Sequence, residues 1–110
     1  RPVYVPWSEA DSERLCVVEG PFDVFAVNRV IPAIAILGIL PSPGQIAYLI
    51  RLVQLHKFKE VFVWFDAAAI AESAQLELKL APYTVVKPIY YSDAKDPGEC
   101  TKETIANILI

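Results

Sequence analysis

Four short apolar runs, each followed by a turn and then by a stretch with helical spacing, constrain this chain more than any other feature. Leu15-Cys16-Val17-Val18 ends in Glu19-Gly20, the run 33–37 ends in the turn 38–41, the run 61–65 ends in Asp66, and the run 84–90 ends in the polar loop 92–99. Runs that are apolar along their whole length, rather than alternating, belong to strands covered on both faces. Strands that alternate with helices pair in a mainly parallel sheet. The expected architecture is therefore α/β: a three-layer α/β/α, Rossmann-like domain built on a sheet of about four strands.

The intervening segments carry helix signals. Pro21 suits the first turn of a helix, where a missing N–H costs nothing, and Phe22, Phe25, Ala26 and Val30 follow at helical spacing. Ser42-Pro43-Gly44-Gln45 has the form of a capping box, with Ser42 as N-cap. Behind it Ile46, Leu49, Ile50 and Val53 share one face. An alanine-rich helix is expected over 67–80, closed by Pro82, and a last helix from about Thr101. Residues 1–13 are polar and proline-punctuated, and read as an entry segment to a domain spanning 14–110.

Composition narrows the function classes. At 110 residues and 55% hydrophobic, the chain has material for a single packed core, and disorder is excluded. Its formal net charge of −3, from 10 basic and 13 acidic side chains, argues against a free-standing nucleic-acid clamp. Cys16 and Cys100 lie far apart, and a lone His56 cannot complete a zinc site with them, so two reduced thiols and a cytoplasmic setting are expected. His56 itself reads as a surface residue near a helix C-terminus. No apolar run is long enough to cross a bilayer. The chain contains no methionine, which suggests a piece of something longer.

Open parallel sheets place function beyond the carboxyl ends of their strands. Those ends carry Glu19, Asp66 and the loop with Asp93, Asp96 and Glu99, and Asp23 stands one helical turn beyond Glu19. Clustered carboxylates repel one another unless a cation sits among them, and a hard cation such as Mg²⁺ suits them. Each residue also has a plain structural role open to it. Asp66 can be an N-cap, and the acidic loop can be simply solvated. Glu19 is harder to explain so, because glutamate caps poorly. No phosphate loop or nucleophile elbow is present. A receiver-type phosphoacceptor role for Asp66 lacks the paired acidic residues at the end of the first strand.

Together these residues resemble the Toprim domain, the catalytic module shared by bacterial-type primases and topoisomerases. Val17-Val18-Glu19-Gly20-Pro21-Phe22-Asp23 is similar to the family's strand followed by E-G-x-x-D. Val63-Trp64-Phe65-Asp66 is similar to its strand running into D-x-D, and Asp96-Pro97-Gly98-Glu99 to the D-P-x-E loop of primases and phage primase–helicases. The resemblance covers about residues 15–99. It implies Mg²⁺ (or Mn²⁺)-dependent nucleotidyl transfer for primer synthesis. Glu19 would be the general acid–base or metal-adjacent carboxylate, and Asp66 would hold the metal with help from Asp96. Gly20, Asp23 and Glu99 would support them. The implied partners are a DNA template, nucleoside triphosphates and the other primase or helicase domains of a full-length protein, with no membrane involved.

One departure stands out. The second aspartate of D-x-D falls at Ala68, and a methyl group ligates no metal. The chain is therefore expected to be weakened or inactive as it stands. A Toprim-type nuclease and a non-catalytic interaction module of a replication protein remain the alternatives.

Overall fold

The computed structural model describes residues 3–4, 13–36, 42–65, 70–89 and 97–109. Along the chain run β1 (Val3–Tyr4), β2 (Arg14–Val18), α1 (Pro21–Val27), β3 (Ala33–Ile36), α2 (Pro43–His56), β4 (Glu60–Trp64), α3 (Ile70–Leu80), β5 (Val85–Pro88), a 3-10 turn (Pro97–Glu99) and α4 (Lys102–Ile108). The strands form one sheet in the order β1-β3-β2-β4-β5. β2 pairs in parallel with β3 and β4, and β4 in parallel with β5. This is the α/β architecture expected from the sequence, with four parallel strands alternating with helices.

The sheet has one strand more than the apolar runs announce. Val3 and Tyr4 pair antiparallel with Ile36 and Ala35, so part of the entry segment extends the sheet beyond β3. Two residues carry no periodicity to read, and the pairing is decided by the open edge of β3, some thirty residues along the sequence. Polar residues and prolines nearby mark it as an entry segment rather than a core element.

Burial follows the pleat. In β2, Leu15 and Val17 point to one face and Cys16 and Val18 to the other, all four with no exposed surface. The first face packs Ile34, Ile36, Val61 and Val63 against Leu49, Leu52 and Val53 of α2 and Leu76 and Leu80 of α3. The second packs Ala33, Ala35, Phe62 and Trp64 against Val24, Ala26 and Val27 of α1, and Ile105 and Leu109 at α4. Two separate cores, one on each side of the sheet, make the three layers.

The predicted capping box is present. Ser42 Oγ accepts from the Gln45 N–H at 3.1 Å, and Gln45 Oε1 accepts from the Ser42 N–H at 2.9 Å, a complete capping box. At the other end of α2, Lys57 takes the left-handed conformation with φ 58°, and the Phe58 N–H closes back on the Val53 carbonyl at 3.2 Å. That geometry ends a helix and turns buried Phe58 into the core. His56, the last residue of α2, is exposed, its ring tilted against Phe58 at 5.8 Å between centroids. No helix among the described residues is long and apolar enough to cross a membrane.

Candidate functional site

The strand order reverses at β2. From β2 the chain moves outward to β3, then crosses back to β4 on the opposite side and continues outward to β5. Loops leaving a sheet at such a point diverge to opposite faces and leave a crevice beyond the carboxyl ends of the strands. β2 and β4 end level here, because Val18 pairs with Trp64. Glu19 follows Val18 directly and is partly buried at this crevice. Gly20 is the N-cap of α1, with Pro21 in the first helical turn.

Asp23 makes the site's long-range contact. Its Oδ1 accepts from the Gly98 N–H at 2.9 Å, across 75 residues of sequence. That bond brings the Pro97–Glu99 turn onto the first turn of α1. The turn is closed by the Cys100 N–H on the Pro97 carbonyl at 3.1 Å. Pro97 is buried, and Cys100 packs against the core on the α1 side. The thiol of Cys16 in β2 is fully buried. Burial, and after it the negative charge of Asp23, drive that thiol far above its ordinary pKa. Cys16 is thus a structural thiol with no nucleophilic character at neutral pH.

Gly20 has ordinary extended backbone, with φ −129°, and a Cβ there would stand 3.7 Å from Asp23 Oδ2, an ordinary contact. The fold itself therefore does not require a glycine at this position.

The structure thus brings Asp23, four residues after Glu19, together with the backbone of the Pro97–Glu99 turn. Asp66, Ala68, Asp93 and Asp96 lie outside the described residues, as does the side chain of Glu99. Among the described residues no three histidine, cysteine or acidic side chains form a metal-binding cluster. Glu19 and Asp23 are hard oxygen donors of the kind Mg²⁺ takes, but one oxygen of Asp23 is already engaged by an amide.

Two polar groups escaped the sequence reading. Gln45 Nε2 and Ser73 Oγ are buried with no hydrogen-bond partner among the described residues, near the starts of α2 and α3. Gln45 was legible only as half of a capping box, and its amide nitrogen is left over once Oε1 is used. The bond from Asp23 to Gly98 was also invisible. The sequence places Asp23 one helical turn beyond Glu19, but no local pattern names a backbone amide 75 residues away as its partner.

Comparison with protein-family models, with characterised proteins and with solved structures returns no match.

Proposed function

We propose that this chain is a Toprim-type module of a primase or primase–helicase, working on nucleotide phosphates at the crevice between β2 and β4. The observation that supports this reading is the meeting of two distant motif segments at one sheet edge. Glu19-Gly20-Pro21-Phe22-Asp23 and Pro97-Gly98-Glu99 are joined there by the Asp23–Gly98 bond. An enzyme of this type needs carboxylates gathered from far-apart segments, and an open parallel sheet does this beyond its strand ends.

In this reading Glu19 takes or gives the proton at the attacking or leaving oxygen, from its place at the end of a strand whose last four residues are buried. Asp66, with Asp96, would hold Mg²⁺ or Mn²⁺, which when bound supplies charge neutralisation at phosphate oxygens. Asp23 keeps the Pro97–Glu99 turn in place. Template DNA and nucleoside triphosphates would be held largely by other domains, because this chain carries a net charge of −3.

Ala68 favours a second reading, a degenerate copy retained for contact with other replication domains. Calorimetric titration with Mn²⁺ and Mg²⁺ separates the two. Ala68→Asp is expected to bind at least about tenfold more tightly than the chain as it stands, through one added carboxylate ligand. Equal affinities would sink the catalytic reading, and absence of binding in both forms would move the interaction module ahead.

A further inference from the structure

We infer that Asp23 is a positioning residue: its carboxylate clasps the Pro97–Glu99 turn to the first turn of α1 and so holds the end of the D-P-x-E segment beside the end of β2. The inference rests on the proposed function for what the turn is held for, but not for the contact itself.

Three observations carry it. First, Asp23 stands in the first helical turn, three residues after the N-cap Gly20, where a capping-box carboxylate would turn back on its own helix. Its Oδ1 accepts from the Gly98 N–H, so the carboxylate serves a distant segment. Second, the partner is a backbone amide on an exposed glycine. Recognition of this kind fixes where the chain runs without using any side chain of the turn, and leaves Glu99 uncommitted by it. Third, the turn rests on buried Pro97 and half-buried Cys100, so the clasp closes a segment already seated on the core. An amide donating to a carboxylate is stronger than a neutral pair, and it recovers part of the entropy lost in closing so long a loop.

Amide hydrogen exchange at Gly98, followed by NMR, reads the clasp directly. Asp23→Ala is expected to lower Gly98 protection about tenfold, the loss of one charge-assisted bond, while core amides such as Val17 and Val63 keep theirs. Asp23→Asn retains an oxygen acceptor and is expected to restore most of the protection. Unchanged protection in Asp23→Ala overturns the inference, and so does an Asp23→Asn variant as unprotected as the alanine.

The positioning role has its own readout, made in the Ala68→Asp background. There Asp23→Ala is expected to weaken Mn²⁺ binding several-fold and Asp23→Asn to bind nearly as the parent does. Lost Gly98 protection with unchanged metal affinity would refute positioning. Should the Ala68→Asp parent bind no metal, the proposed function fails, and Gly98 exchange alone decides the clasp.

Discussion

The face of the sheet under α2 and α3 is covered by helices of 14 and 11 residues, whereas the face under α1 and α4 is covered by two helices of 7. On the first face the strands present Leu15, Val17, Ile34, Ile36, Val61 and Val63. On the second they present small residues on β3, Ala33 and Ala35, beside large ones on β4, Phe62 and Trp64. Helices as short as α1 and α4 have little stability of their own and depend on tertiary contacts. They are tied by specific long-range bonds, Asp23 to the Gly98 amide and the Arg14 guanidinium to the Leu109 carbonyl. The long-helix face is held by apolar area and local helix signals. The candidate site sits at the edge of the face that depends on individual polar contacts.

Core truncation gives the largest expected effect and the most direct way to break this comparison. Leu49 of α2 and Ile105 of α4 are both fully buried. Leu49→Ala is expected to cost about 4–5 kcal/mol, because a long helix fixed at both ends relaxes little around the cavity. Ile105→Ala is expected to cost about 2–3 kcal/mol, because a two-turn helix shifts to fill part of it. Chemical denaturation of both variants measures the difference, and equal losses would show that the two faces are equally rigid.

Cys16 probes the α1 face through pH. Burial, and then the Asp23 carboxylate, raise the thiol above its ordinary value of 9.0, so the folded chain keeps a proton that the unfolded chain loses above that pH. Stability is complete below this value and falls as pH rises past it. Relative to Cys16→Val, the native chain should lose about 1.4 kcal/mol by roughly pH 10. A thiol reagent at neutral pH is expected to modify partly exposed Cys100 first and Cys16 only on unfolding. Rapid labelling of Cys16 would mean that the α1 face opens readily.

The two helix caps test the comparison at smaller amplitude. Ser42 caps α2, and Thr101 caps α4 by accepting from the Thr104 N–H at 3.1 Å. Replacing either with alanine is expected to cost about 1 kcal/mol. Ser42→Ala should lower global stability, while Thr101→Ala should act mainly on α4, as faster amide exchange from 105 to 109 with a smaller change in the unfolding midpoint. A global loss from Thr101→Ala as large as that from Ser42→Ala would join α4 to the main cooperative unit.

What the sequence made legible follows the same division. Local, strongly periodic features could be read: the four apolar runs, the Ser42–Gln45 capping box, Pro21 in the first turn of α1, and the last helix beginning just after Thr101. These depend on residues a few positions apart. β1, the Asp23–Gly98 bond and the Gln45 Nε2 left without a hydrogen-bond partner among the described residues depend on what the fold brings near, and nothing within ten residues announces them. Of the candidate site, the E-G-x-x-D end of β2 was visible as a carboxylate at a strand end. The job of Asp23 was not, because an aspartate in a first helical turn has a sufficient local explanation.

The smallest expected effect lies where the short-helix face runs out. At β5 that face carries Lys87, whose ammonium is 2.8 Å from Glu60 Oε2 and 6.0 Å from the centre of the Phe62 ring. Val85 beside it on the same face is exposed. Phe62 belongs to the core shared with α1 and α4 and is only 3% exposed, and the Lys87 stem is placed to cover its outer side. The ion pair itself is half open to water and should contribute less than about 1 kcal/mol, with part of that screened by salt. Lys87→Met keeps the stem and removes the charge, whereas Lys87→Ala removes both. Lys87→Met is therefore expected to cost about half as much as Lys87→Ala, and the coupling between Lys87 and Glu60 in a double-mutant cycle should shrink in high salt. Equal costs for the two variants would assign the effect to charge alone and leave Phe62 covered by the sheet and its other neighbours.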